Sequence, residues 1–313
     1  MVANLPHLEG RFFLTDGGLE TTLIFQDGIE LPHFAAFHLL SDADGRSALE
    51  RYYERYIAIA KSAGVGFILE SPTWRASRDW GEKLGYSREA IEDANCAGLA
   101  MMHGLRDRHR SADFPMVVSG CVGPRGDGYD PGQVMSPAEA EDYHAHQIGV
   151  LADAGADMIA AFTMTNANEP IGIARAAGKV RLPVVISFTL ETDGRLPTGQ
   201  SLADAIGEVD RETGSAPAYY MINCAHPSHF ADVLPADANW AGRIRGIRAN
   251  ASMRSHRELN DAPDLDAGDP ADLGERYRAL LSAHPHINVL GGCCGTDHRH
   301  IECISSACLS APA

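Results

Sequence analysis

The chain of 313 residues carries 42 acidic against 26 basic side chains, a formal charge of −16, which argues against nucleic acid or an anionic membrane surface as a partner. Its 31 glycines and 17 prolines are spread along the sequence, a globular composition, and the length allows one large α/β domain with a substantial core. Seven cysteines, an odd number with two of them adjacent, point to a reduced compartment and away from a disulfide framework.

The opening stretch MVANLPHLEGRFFLTDGG has no basic region followed by a signal-like apolar segment. No stretch approaches the roughly 20 apolar residues of a spanning helix, so the expectation is a cytoplasmic protein. Phe12 to Leu14 is a first short apolar run ending in Thr15-Asp16-Gly17-Gly18. An aspartate and paired glycines at a strand exit read either as a turn or as a carboxylate set beside a ligand. Ser47 to Ala63 has helical spacing through Leu49, Tyr53, Ile57 and Ala60, and Gly64 then leads into a buried strand from Val65 to Leu69. That strand empties into Glu70-Ser71-Pro72-Thr73-Trp74, the loop composition expected at the functional end of an α/β unit.

The cycle repeats. Ser87 to Arg110 is a predicted helix, Met116 to Ser119 a strand, and the loop GCVGPRGDGYDPGQVMS follows. Pro137 to Ala154 reads as a helix with Ser136 as cap and Glu139 in the capping-box place. Asp157 to Ala161 is strand four, running out through Phe162-Thr163-Met164-Thr165-Asn166. Glu169 to Lys179 is a helix, Pro183 to Ser187 strand five, and Leu202 to Thr213 the next helix. Ala218 to Ile222 is strand six, ending at Asn223-Cys224, and Pro227 to Trp240 reads as short helices. Arg243 to Ile247 is strand seven. The arginines from Arg243 to Arg257, near Asp261, Asp264, Asp266 and Asp269, read as a charged helix or loop surface. A helix over Pro270 to Ala283 precedes strand eight, Ile287 to Leu290, which enters GGCCGT from Gly291 to Thr296; a last helix begins near Asp297.

Eight short apolar strands alternating with helices predict a single (β/α)8 TIM barrel domain over residues 1–313, with a doubly wound sheet as the rival. The unusual residues favour the barrel. Asp16, Glu70, Thr163, Cys224 and Cys293 all lie just after different candidate strands, and a barrel gathers such strand ends around one mouth.

Cys224 and Cys293 are two β/α steps apart, too far for a local zinc knuckle. Zinc takes thiolates in a tetrahedral arrangement, and three of them leave a fourth position for a substrate sulfur. Adjacent side chains of a straight strand point to opposite faces, so Cys293 and Cys294 need a bend to share one ion. Gly291, Gly292 and Gly295 supply freedom for it. The competing reading makes each cysteine a small buried hydrophobe; Cys96, Cys121, Cys303 and Cys308 lack the context of the other three, and Cys96, Cys303 and Cys308, on predicted helices, are read as structural. His226 is read as supporting or structural, and His298 and His300 as capping or surface groups. Asn223 and Asn250 either meet a substrate carboxylate or satisfy loop backbone.

The DGG near the start, Asn223-Cys224 after a strand, and GGCCGT followed by Asp297 and His300-Ile301 resemble the homocysteine S-methyltransferase family. The resemblance runs over nearly the whole chain, through Tyr56 and Ala60, the segment Thr73-Trp74-Arg75-Ala76-Ser77, and SFTLETDGRLPTG. It implies a zinc-dependent S-methyltransferase that methylates a small-molecule thiol, that of homocysteine, in methionine biosynthesis. It also implies Zn2+ held by Cys224, Cys293 and Cys294, and Asp16 near the amino-acid end of the acceptor. Relatives draw the methyl from S-methylmethionine, betaine, other sulfonium compounds or, in modular enzymes, cobalamin or folate systems; the length here favours a small onium donor. Such a cation is met by aromatic faces and carboxylates, and Trp74, Tyr129, Phe162 and Glu70 are candidates. The substrate-binding set is thus Asp16, Gly17, Glu70, Thr73, Trp74, Phe162, Thr163 and Asn223. Many relatives carry a glutamate-threonine pair after strand four, whereas this chain has Phe162-Thr163. Glu70 could replace that charge across the barrel, or the acceptor is another thiol. Demethylation of an osmolyte-like onium compound and a non-catalytic zinc-bearing metabolite-binding barrel stay open, as do a monomer and a homodimer.

Overall fold

The computed structural model describes residues 5–262 and 264–309. Eight parallel strands pair in sequence order and close on themselves: β1 (Phe13–Leu14), β2 (Gly66–Glu70), β3 (Met116–Val122), β4 (Met158–Met164), β5 (Val184–Thr189), β6 (Tyr219–Asn223), β7 (Ile244–Ala249) and β8 (Val289–Gly292). The (β/α)8 barrel is the fold. The short β1 pairs with β2 on one side and β8 on the other. Among the described residues no helix is long and apolar enough to cross a membrane.

Alternation along each strand divides the apolar residues into two cores. Phe13, Ile68, Val117, Met158, Val185, Met221 and Val289 point inward and fill the barrel. Leu14, Phe67, Leu69, Val118, Ile159, Ile186, Ile222 and Leu290 point outward under the helices, the division expected of strands buried on both faces. The floor is closed by His7, whose ring sits 5.4 Å from those of Phe13 and Tyr219. Burial there lowers the His7 pKa to about 4, with Arg245 adding to the effect, so it is a neutral plug.

The helices are α1 (Leu19–Phe25), α2 (Ala43–Ser62), α3 (Arg78–Lys83), α4 (Arg88–His109), α5 (Pro137–Asp153), α6 (Asn168–Lys179), α7 (Leu202–Thr213), α8 (Pro227–Phe230), α9 (His256–Asn260), α10 (Pro270–Ala283) and α11 (His298–Leu309). Periodicity and caps locate the long ones well. Ser136 and Glu139 close the anticipated capping box on α5. The short α1, α3 and α9 were not anticipated, since five to seven residues are too few to display a period.

The strands run on past the ends predicted from apolar runs. Glu70, Thr189, Asn223 and Arg248 are ladder residues, polar only because they line the inside of the mouth. Of the arginine run, Arg254 and Arg257 are the exposed surface expected, and the first three are not. Arg243 pairs with Asp210 at 2.9 Å, Arg245 ties down the carbonyls of His7 and Leu8, and Arg248 enters the barrel with 8% of its surface exposed.

Candidate functional site

At the C-terminal mouth, Cys224 follows β6 in the left-handed region, φ 53°, a conformation that costs a side chain other than glycine energy. Hydrogen bonds on both sides hold it there. Its amide donates to Arg248 O at 3.1 Å, and its carbonyl accepts from Asn250 Nδ2 at 3.1 Å and from His256 Nε2 at 2.5 Å. Cys293 and Cys294 lie in the turn after β8. The Cys293 amide donates to Ala249 O at 2.8 Å, and its carbonyl accepts from Thr296 Oγ1 at 2.7 Å. Gly295, at φ 79°, completes the turn. Gly291 and Gly292 are not the flexible points expected, for they are regular β8 residues. A Cβ on Gly291 would fall on the Thr15 hydroxyl, and one on Gly292 on the Thr296 hydroxyl, so close approach is their reason.

These turns bring the three sulfurs within 4.8 Å of one another. Cys224 and Cys293 are joined as a disulfide, where a metal site had been favoured over any disulfide. Cys294 Sγ lies 3.9 Å from Cys224 Sγ. Pairing and metal binding draw on the same atoms. Tetrahedral ligation with Zn–S of about 2.3 Å sets sulfurs about 3.8 Å apart, so the spacing and softness of this donor set fit zinc once the cysteines are reduced. His226 is outside the group. Its Nδ1 accepts from the Ser228 amide at 3.3 Å to cap α8, and burial lowers its pKa to about 4.

Asn223 braces the cluster. Its Oδ1 accepts from the Thr163 amide at 3.0 Å and from Ser187 Oγ at 2.7 Å. Its Nδ2 donates to Thr163 Oγ1 at 3.0 Å and points toward Cys293 Sγ at 3.9 Å. Thr163 is itself left-handed, φ 65°, at a register shift in β4. Both expected substrate residues therefore have internal partners. Thr73 is fully buried and donates to Cys121 O at 2.7 Å, which fastens the loop after β2 to β3.

Charge is concentrated beside the sulfurs. Arg248 Nη2 lies 2.9 Å from Asp16 Oδ1 and donates to Gly17 O at 3.1 Å, while its Nε donates to Gly292 O at 3.0 Å. Tyr52 donates to Asp16 Oδ2 at 2.9 Å. Burial raises the Asp16 pKa, with Arg248 pulling the other way. Glu70 is 5% exposed, keeps Oε2 without a partner, and is pushed up to about 7 by burial against the pull of Arg248. Glu20, half-buried in the first turn of α1, is likewise pushed to about 7 by burial, with Asp16 adding to the shift. Asp16 thus pairs with this guanidinium directly, and the same positive charge acts on Glu70 and Glu20.

Phe162 is buried at the top of the inner core with Trp74 packed against it, Trp74 Nε1 donating to Phe162 O at 3.4 Å and the Phe162 ring 5.1 Å from the Arg248 guanidinium. Arg75 is clamped between the Trp74 and Trp80 rings at 3.9 and 3.7 Å. His300, read as surface or cap, is buried and caps: its Nδ1 accepts from the Asp297 amide at 3.1 Å ahead of α11, and its Nε2 lies on Ala267 O at 2.8 Å. Arg248, Glu20 and His256 escaped the sequence reading. The signal for Arg248 was its spacing of two from Gly246 along a strand, hidden by neighbouring arginines and by the register shift that leaves Ile244 on the outer face.

The profile of the homocysteine S-methyltransferase family matches residues 13–308. Homocysteine S-methyltransferase 4 of Zea mays is 25% identical over 323 aligned residues, covering 95% of this chain and 90% of its own. Among solved structures, the homocysteine methyltransferase MmuM of Escherichia coli is similar at 19% identity. Its oxidized form gives a TM-score of 0.75, with 94% of this chain and 95% of that one covered. Its metallated form gives 0.72, with 95% and 96% covered.

Proposed function

This chain belongs to the homocysteine S-methyltransferase family, and from that membership we propose that it is a zinc-dependent enzyme passing a methyl group from a small onium donor, such as S-methylmethionine or betaine, to the thiol of homocysteine, giving methionine. The observation that carries the reading is the convergence of Cys224, Cys293 and Cys294 within 4.8 Å at the barrel mouth. These three would hold the metal, which when bound supplies a lowered thiol pKa, so that the acceptor sulfur is a thiolate at neutral pH. Since the three must be reduced to do this, a reducing cytoplasmic setting is part of the proposal.

The remaining work falls to residues of the barrel. A sulfur–carbon bond forms as the donor's onium–methyl bond breaks in line, and the electron pair of the broken bond stays on the leaving heteroatom, cancelling its positive charge as the thiolate loses its negative one. Such a displacement depends on alignment and exclusion of water. The hydrogen bonds on Cys224 and the Asn223 brace hold the sulfurs in place. The surplus of carboxyl groups over Arg248 suits cationic ligands: Asp16, beside Gly17, and Glu70 for the acceptor's ammonium, and the faces of Trp74 and Phe162 for the onium. Metal content of the reduced protein, followed by isotopically labelled donors offered with homocysteine, tests the whole; a metal-free preparation with full transfer activity overturns it.

One observation favours a different thiol as acceptor, namely Phe162-Thr163-Met164-Thr165 where relatives place a carboxylate. Glu70→Gln separates the readings. If Glu70 meets the ammonium, the variant loses a charge-assisted hydrogen bond, and the acceptor KM rises about ten- to a hundredfold while zinc content is unchanged. The pH dependence follows from the same carboxyl. Its pKa is near 7, so lowering the pH from 8 to 6 neutralises it, and acceptor affinity should fall over that range in the native chain and stay flat in Glu70→Gln. An unaltered KM assigns the acceptor another anchor.

A further inference from the structure

The loop leaving β3 lies across the mouth and is fastened at successive points. Trp80 Nε1 donates to Pro124 O at 3.4 Å, the Arg125 amide to Glu169 Oε1 at 2.8 Å, and the clamped Arg75 to Gly126 O at 2.9 Å. Asp127 Oδ1 accepts from the amides of Tyr129 and Asp130 at 2.8 and 3.2 Å, turning the chain inward. Gly128 is pressed against Thr163, where a Cβ would lie 2.8 Å from Thr163 Cγ2. The result is that Tyr129 points down at the sulfurs, its hydroxyl 3.4 Å from Cys294 Sγ.

The Tyr129 ring rests on His256, with centroids 4.2 Å apart and planes inclined at 36°. His256 is itself fixed, for its Nε2 donates to Cys224 O and its Nδ1 lies 3.4 Å from Glu191 Oε1. One imidazole therefore supports the backbone of one cysteine and the ring that reaches the sulfur of another.

We propose that Tyr129 is a positioning residue for the metal-bound cluster, its hydroxyl donating a hydrogen bond to the Cys294 thiolate and its ring, seated on His256, fixing the direction of that bond. The inference rests on the metal reading of the three cysteines. A phenol hydroxyl that donates to a metal-bound thiolate withdraws electron density from its lone pair and favours the ionised sulfur over the thiol. Groups that orient metal ligands in this way commonly change affinity by about 10- to 100-fold when removed.

The test uses the full-length reduced chain titrated with cobalt(II), whose thiolate charge-transfer band reports the sulfur lone pairs directly, and zinc affinity measured by chelator competition. In Tyr129→Phe, which keeps the ring on His256 and loses the hydroxyl, the band should move to longer wavelength and affinity for both ions fall about tenfold, with the metal-free melting temperature unchanged. A band and an affinity identical to those of the native chain overturn the assignment. Should that variant fold poorly, Tyr129→Leu, which loses the hydroxyl and leaves His256 on the Cys224 carbonyl, is read in the same way: a shift in the same direction supports the assignment and none overturns it. A native chain that takes up neither ion removes the metal reading and this inference together. Native binding with a silent Tyr129→Phe removes this inference alone.

Discussion

Replacing Cys224, Cys293 or Cys294 by serine, one at a time, is expected to lower both zinc affinity and methyl transfer by at least about a hundredfold. Structural zinc sites are worth roughly 10–16 kcal/mol over four ligands, about 3 kcal/mol for each, which corresponds to about 100-fold in binding. A hydroxyl does not compensate, because it stays protonated at neutral pH and is a harder donor than a thiolate. The two losses should move together, since the same sulfurs that hold the ion present the acceptor. Cys96, exposed on α4, is the control: its serine variant should keep both properties. Metal content of reduced protein and transfer rates with excess donor make the comparison, and a serine variant with native metal content and native rate would take that sulfur out of the site.

The other large effect is expected at Arg248. Arg248→Met keeps a comparable apolar stem and deletes the guanidinium, leaving Asp16 and Glu70 buried without their common countercharge. Breaking a buried pair by removing one partner costs about 3–5 kcal/mol, and three further anchors go with it, the hydrogen bonds to Gly17 O and Gly292 O and the stacking near Phe162. The pH dependence has a definite sign. Both carboxyl groups already sit above their ordinary pKa values through burial, and without Arg248 they rise further. A raised folded-state pKa means that the native state holds more protons than the unfolded chain over the interval above the ordinary carboxylate range. Stability therefore falls as pH rises through that interval. The deficit of Arg248→Met should consequently be largest at pH 7 to 8 and shrink toward pH 5. Urea unfolding at both ends of that range measures it, and an unchanged midpoint at pH 7 would show that the acids need no countercharge.

Much of this architecture was legible in the chain. Periodic apolar residues with capping signals located the long helices to within a few residues, and the alternation of eight apolar runs gave the barrel. GGCCGT and Asn223-Cys224 marked the cluster before any coordinates, because adjacent cysteines among glycines are uncommon in a packed core. What stayed hidden has a common physical cause. A strand that lines a polar mouth stops looking apolar before it stops being a strand, so Glu70, Asn223 and Arg248 read as loop. Arg248 was further masked by Arg243 and Arg245, whose partners lie on the outside and the floor of the barrel. Tyr129 and His256 come from irregular segments far apart in sequence, and only the folded loops bring their rings within 4.2 Å.

β1 contributes just two residues to the ring of strands, each paired on both flanks, while β4 through β6 offer longer ladders. The cylinder therefore has a seam, the line along which breathing ruptures fewest bonds. Asp16 stands at its lip together with the Cys293 turn, since β8 flanks β1 directly, whereas Cys224 follows β6 on the far side of β7. Opening of the seam thus shifts Asp16 and the Cys293 turn against Cys224, so that ligand traffic and retention of the ion are coupled along one margin of the cylinder.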